Sequence, residues 1–304
     1  AMIWVAPLWV GELARTRRAM ERFLVLDGEE RLSRLCPFCE EAVAHVAGTV
    51  ERLMRDYNLD GLKIDYMDHV MPVCTDPAHD HSAHGGDFGI AMDALMRRMT
   101  ERILAINPDA CIEYRFRYSN LVTLQYANCH RTIDAPYDAD YMRRVNLFMR
   151  LYCKAPSVIW NDYAYWTQSE QCRNSSLMMG QQVFSGGVPV VSVDYARCTS
   201  EQKAACRDWL DFYREHCSSL ARCELHVHSS DSAFSVTSLQ DPVDGKAFVL
   251  ISGQYLPPRI EVRRDIHSIW VLHTASQRAG SLEIRAGDSI HKCVVSDRGL
   301  TQII

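Results

Sequence analysis

The chain has 304 residues, 47% of them hydrophobic, enough to bury a full core as one large domain or two ordinary ones. Its 33 basic and 38 acidic residues leave a formal charge of -5, so no basic field exists to hold a phosphate backbone and nucleic acid is not an expected partner. No apolar run approaches the roughly 20 residues that cross a bilayer, and MIWV at 2 to 5 has neither a basic leader nor a cleavage site, which predicts no membrane partner and a cytoplasmic protein, with Ala1 a cloning remnant ahead of Met2.

From residue 3 to about 217, short β-rich runs alternate with longer amphipathic ones, the pattern of βα units around a parallel sheet. MIWVAP (2 to 7) is the first predicted strand, followed by a loop and a helix from about 40 to 56. GLKID (61 to 65) is the second, followed by a polar loop and a helix from about 88 to 106 that Asn107-Pro108 stops. CIEYRF (111 to 116) and CHRTID (129 to 134) are strands, with a helix from about 138 to 153 after the second. SVIWND (157 to 162) leads to a helix near 170 to 184, and VPVVSVD (188 to 194) to a helix from 200 to 217. The texture then changes: AFSVTSL, KAFVLISG, SIWVLHT and SLEIRAG alternate between turn signals such as Pro242-Val-Asp-Gly245. The expected fold is therefore α/β, a partial or complete (β/α)8 TIM-type barrel over 1–218, followed by a C-terminal antiparallel β-sandwich domain over 219–304.

The 12 cysteines are spread through apolar segments, which suits reduced packing thiols, Cys129, Cys153 and Cys172 among them. Cys36-Pro-Phe-Cys39 is a CxxC ahead of a helix, but no second CxxC or spaced Cys/His pair completes a zinc site, so it reads as an incidental helix-start pair.

Functional side chains of parallel α/β folds collect at the carboxyl ends of the strands. Here those ends carry Asp65 and Asp68; Arg115, Arg117 and Tyr118; Asp134 and Asp138; Asn161 and Asp162; and Asp194. Any one of them reads equally well as a helix cap or loop charge. Five such ends together, with Trp160, Tyr165 and Trp166 nearby, suit a neutral polyol, because carboxylates accept hydroxyl hydrogen bonds and aromatic rings stack on sugar faces. Glycoside cleavage with retention needs two carboxyls about 5 to 5.5 Å apart, and Asp65 with Asp134 is the candidate pair. Lys63 shares the strand face of Asp65, where an ammonium keeps the carboxylate ionised.

LKIDYMD at 62 to 68 resembles the nucleophile strand of clan D α-glycosidases, families 36, 27 and 31, in which a Lys-x-Asp tripeptide carries the nucleophile. IWVAPLWV is similar to the preceding strand of those enzymes, usually the third of the barrel. IEYRFRYSN and NCHRTIDAPYDADYMRRVNLFMRL are similar to the fifth and sixth strand regions, SVIWNDYAYW to the seventh, and GVPVVSVD to the eighth. The resemblance covers about 3 to 217 and is closest to family 36 α-galactosidases. It implies Asp65 as nucleophile, Asp134 as acid/base, Lys63 and Arg115 or Arg117 on the sugar or the nucleophile, and Asp162 lining the pocket. Asp68 is a substrate-binding candidate at the Asp65 strand end, and Trp160 and Trp166 read equally well as a sugar platform or as a seal on the barrel rim. It implies a glycoside or oligosaccharide substrate and no metal or organic cofactor. The first two barrel strands and the N-terminal β domain of family 36 have no counterpart, so self-association or a partner chain completing the barrel is expected.

Two other readings stand beside it. The loop at 74 to 87 interleaves His79, His81 and His84 with Asp76, Asp80 and Asp87, which permits a metal-dependent hydrolase, although a polar lid explains the same composition. A chain without the early strands also permits a catalytically impaired carbohydrate-binding or assembly protein.

Overall fold

The computed structural model describes residues 1–67, 74–115, 123–131, 138–153, 158–160, 163–169, 171–230, 234–253, 256–274, 280–295 and 299–303. They form two compact units, residues 1–131 and 132–304.

In the first unit, strands β1 (Met2–Val5), β4 (Gly61–Ile64), β5 (Cys111–Tyr114) and β6 (Cys129–Arg131) lie side by side in that order, every neighbouring pair parallel. Between β1 and β4 come a one-turn helix α1 (Arg17–Met20), the hairpin β2 (Leu24–Asp27) with β3 (Glu30–Leu35), and α2 (Glu40–Asp56). The hairpin stands where the sequence suggested only loop, although LVLDGEERLSRL carries its signal: Asp27-Gly28 sits at the tip and Gly28 takes a φ of 62°, which glycine adopts without strain. Helix α3 (Phe88–Ile106) joins β4 to β5; the Asp87 carboxylate caps it by accepting from the Ile90 backbone N–H at 3.1 Å.

Helices α2 and α3 cover one face of this sheet. The buried positions of α2 (Ala42, Val43, Val46, Ala47, Val50, Met54) recur at helical spacing, as do Met92, Leu95, Met96, Met99 and Ile103 on α3. Leu62 and Ile64 of β4, neither with any exposed surface, point into that layer, each worth about 1.5–3 kcal/mol of burial. Alternation along a strand then sends Lys63 and Asp65 to the opposite face. Gly61 opens β4 because a Cβ there would collide with the Cys111 carbonyl of the adjoining strand. Cys111 and Cys129, on neighbouring strands, are bonded as a disulfide, so Cys129 is not the reduced packing thiol expected of it.

The second unit contains α4 (Ala139–Tyr152), β7 (Val158–Trp160), α5 (Cys172–Phe184) and α6 (Ser200–Arg222), then strands β8 (Glu224–Ser230), β9 (Phe234–Asp241), β10 (Lys246–Gly253), β11 (Arg259–Val262), β12 (Ser268–His273), β13 (Gly280–Ala286), β14 (Ser289–Val295) and β15 (Gly299–Ile303). A capping box between Thr199 and Gln202 opens α6, which runs on to Arg222. Among the described residues, the segment 188 to 194, expected to be a strand, makes two isolated parallel bridges, Trp160 with Val188 and Ala164 with Val191. Pro189 has no N–H to give, and the Val190 N–H is taken by the Gln182 side chain at 3.1 Å. The C-terminal strands form one sheet in the order β15-β12-β10-β9-β8 and another in the order β11-β13-β14. They are mostly antiparallel as expected, but β10 with β12 and β11 with β13 run parallel. Residues of both sheets share one apolar core, among them Val249, Val271, Ile260 and Ile284. Trp209 of α6 and Phe184 of α5 join Phe248 and Trp270 in another. Among the described residues, no helix is long and apolar enough to cross a membrane.

Candidate active site

The face of the first sheet opposite α2 and α3 carries its charges. In register across β1, β4 and β5 stand Trp4, Lys63 and Glu113, and the next positions beyond β4 and β5 are Asp65 and Arg115. The backbone continues the ladder past the strand ends: the Asp65 N–H donates to the Val5 carbonyl and the Arg115 N–H to that of Ile64, both at 2.8 Å. This fixes the two side chains at the carboxyl edge of the sheet.

Asp65 is 4% exposed and its carboxylate is fully engaged. Trp4 donates its indole N–H to Oδ2 at 2.8 Å, Arg115 Nη1 donates to Oδ2 at 3.0 Å and reaches Oδ1 at 3.4 Å, and the Tyr66 backbone N–H donates to Oδ1 at 2.7 Å. Three donors, one of them a guanidinium, hold the carboxylate in one orientation. Tyr66 turns the chain at a φ of 59°, uncommon for a non-glycine residue, and its ring meets the edges of Trp4 and Trp9 at 6.0 and 5.7 Å. The strain therefore sits next to Asp65, where the backbone leaves the strand.

Beneath it, Lys63 Nζ lies 3.7 Å from Glu113 Oε1. Burial pushes Glu113 upward against the pull of Lys63 and Arg131, and burial pushes Lys63 downward against the pull of Glu113. On β6, burial alone lowers His130 to about 4, leaving it neutral at physiological pH. Its folded value lies below the ordinary 6.5, so the unfolded chain takes up a proton that the folded one refuses. Stability is expected to fall as pH drops from about 6.5 towards 4, by up to about 3 kcal/mol, and His130→Gln to flatten that slope in urea melts.

Of the residues singled out in the sequence, the structure brings Lys63, Asp65 and Arg115 together. Asp68, Arg117, Asp134 and Asp162 lie outside the described residues. Trp160 ends β7 half-buried; Trp166 is 5% exposed in the apolar core that also holds Met179 and Trp209. His79 and His81 stand beside Cys36 and Cys74, whereas His84 lies apart from them in the turn Ala83–Gly86. The loop acids are structural: Asp87 caps α3, Asp80 accepts from Ser82, and Asp76 pairs with Arg31 at 2.7 Å. Burial raises Cys36 to about 12 and raises Cys39 as well, which leaves the CxxC without a reactive thiolate. Trp4 and Glu113 escaped the sequence reading, yet the alternation that turns Lys63 away from the helices also turns both of them.

The chain has the α/β fold, a parallel sheet with C-terminal mostly antiparallel sheets, of glycoside hydrolase family 36 α-galactosidases. It superposes on the α-galactosidase AgaA of Geobacillus stearothermophilus, crystallised with 1-deoxygalactonojirimycin, with a TM-score of 0.70 and 13% identity, over 99% of this chain and 44% of that one. The α-galactosidase of Lactobacillus brevis matches with a TM-score of 0.64 and 12% identity, over 99% and 43%. In sequence, 98 residues are 30% identical to the A type blood α-D-galactosamine galactosaminidase of Flavonifractor plautii, covering 27% of this chain and 9% of that protein. The chain thus spans less than half the length of each of these three proteins. No protein-family model matches it.

Proposed function

We propose that the chain carries the catalytic wall of a retaining α-glycosidase of the α-galactosidase type, its parallel strands being part of a (β/α)8 barrel. The observation that supports this best is the Asp65 carboxylate, buried at a parallel strand end and hydrogen-bonded by Trp4, Arg115 and the Tyr66 N–H. In this reading Asp65 attacks the anomeric carbon while Asp134 protonates the departing oxygen. A glycosyl-aspartate forms with inversion; Asp134, now a carboxylate, takes a proton from water, whose attack inverts the centre again and frees Asp65. Lys63 and Arg115 keep positive potential around Asp65, and Asp68, Arg117, Asp162 and Trp160 are assigned to the sugar. The substrate class follows the Geobacillus enzyme, crystallised with raffinose and with stachyose.

The test is hydrolysis of nitrophenyl α-galactoside, α-glucoside and α-galactosaminide by the full chain, with the first-formed anomer read by NMR. Turnover of an α-galactoside or α-galactosaminide giving the α-anomer is expected. A β-anomer product would overturn the retaining assignment, and sugar binding without turnover would favour a carbohydrate-binding chain instead.

A further inference from the structure

Four ligand-type side chains converge in the first unit, away from the Asp65 face. Cys36 Sγ, Cys74 Sγ and a ring nitrogen from each of His79 and His81 all lie within 4.8 Å of one another. They come from two stretches of chain, one just ahead of α2 and the other following the Asp65 strand end in sequence. We propose that Cys36, Cys74, His79 and His81 form a tetrahedral zinc site that clamps the 74 to 81 segment onto the β2–β3 hairpin.

The ligand chemistry is that of structural zinc, two thiolates and two imidazoles. Zinc bonds of about 2.3 Å to sulfur and 2.0 Å to nitrogen put neighbouring ligand atoms roughly 3.3 to 3.8 Å apart. Cys74 Sγ is 3.4 Å from His79 Nδ1, and Cys36 Sγ is 4.0 Å from His81 Nε2. Binding needs small side-chain movements and no rebuilding of the backbone. The support around the ligands is in place. His79 Nε2 stands 2.9 Å from the Arg22 carbonyl, which fixes the proton on Nε2 and turns the Nδ1 lone pair towards Cys74. The segment is already docked on β2, with Thr75 N–H donating to the Leu26 carbonyl at 2.7 Å and the Leu26 N–H to Cys74 Sγ at 3.4 Å.

Charge and burial agree with this. Cys36 has no exposed surface, and Cys74 and His79 are 8% and 6% exposed. Two thiols lose their protons to solvent when the ion enters, so the dication and two thiolates sum to zero, the charge a buried cluster tolerates. With four protein ligands the coordination is closed, so the ion holds structure and leaves no position for an activated water. This separates the site from a metal-dependent hydrolase built on His79, His81 and His84, since His84 is not among the four.

The test uses the full chain, stripped with a chelator under anaerobic conditions and titrated with Zn(II) or Co(II) alone. One equivalent should bind, the cobalt form should show the intense visible bands of tetrahedral thiolate coordination, and metal should raise Tm by on the order of 5 °C. Cys74→His, which keeps a ligand nitrogen, should retain the metal; Cys36→Ser with Cys74→Ser should lose it; Cys39→Ser should behave as wild type. Failure of the folded wild type to bind metal, or equal binding by the double serine variant, would overturn the site. These readouts need no turnover, so they stand or fall separately from the role of Asp65.

Discussion

Asp65→Asn is expected to leave the chain folded and to cut turnover of an activated α-galactoside by roughly 10³-fold or more, with a much smaller change in sugar affinity. An amide fills the same space and, with its oxygen at the Oδ2 position, still accepts from Trp4 and Arg115, so the pocket keeps its shape. It carries no charge to attack with, and its NH₂ group points a donor at the Tyr66 backbone N–H, which can only donate. Asp65→Gly makes the sharper test, because small anions fit where the carboxylate stood. Added azide should restore cleavage of a substrate with a good leaving group and deliver a β-glycosyl azide, one inversion from the α-substrate. Activity of Asp65→Asn within a few fold of wild type would rule Asp65 out as nucleophile. Loss of folding, read by circular dichroism, would make Asp65 a structural anchor for Arg115 and Trp4 instead.

The second large effect concerns Lys63 and Glu113, and it is one of stability. Both directions of shift say that burial opposes the charged forms of the pair. Glu113, raised above its ordinary 4.5, costs the fold progressively as pH climbs through that value and on to its folded one. Lys63, lowered below 10.5, adds its cost as pH falls from there through its folded value. Between those windows both are charged, and each is tolerable because the other is present. Removing one should be the worst case. Lys63→Met or Glu113→Leu alone is expected to lose about 2 kcal/mol, less than the roughly 3–5 of a fully enclosed pair, because Lys63 keeps some solvent contact and Arg131 still faces Glu113. The double variant should recover most of that loss, since two well-packed apolar side chains replace a buried ion pair at little net cost. Losses that simply add in urea melts at pH 7 would show that the two charges do not sustain each other.

The sequence was informative where a single period set the structure. Helices α2 and α3 begin and end where their apolar spacing, the Asp87 cap and Asn107-Pro108 put them. The Leu62, Lys63, Ile64, Asp65 alternation assigned each residue of β4 its face, and the Lys-x-Asp resemblance pointed to the side chain that the structure surrounds with donors. The β2–β3 hairpin was missed because a long, charged connection invites a loop reading, despite the Asp27-Gly28 tip. The segment 188 to 194 has a strand's alternation, but alternation does not reveal that Pro189 and the Gln182 side chain break the ladder. Pairing direction is equally silent, so the parallel β10–β12 and β11–β13 pairs could not be foreseen. The Cys36, Cys74, His79, His81 cluster hides for a related reason: its halves are separated by a helix and a strand, and no fixed spacing joins them. Trp4 and Glu113 join the candidate site only once register sets three strands beside one another.

The most direct measurement is covalent trapping. A fluorinated galactosyl fluoride slows the second step of a retaining α-galactosidase and lets the glycosyl-enzyme accumulate, so peptide mass spectrometry can find the residue that carries the sugar. The adduct should fall on Asp65, within the peptide that contains LKIDYMD, and should be absent from Asp65→Asn. A stoichiometric adduct on any other carboxylate, or steady hydrolysis of the reagent with no adduct at Asp65, would contradict the assignment.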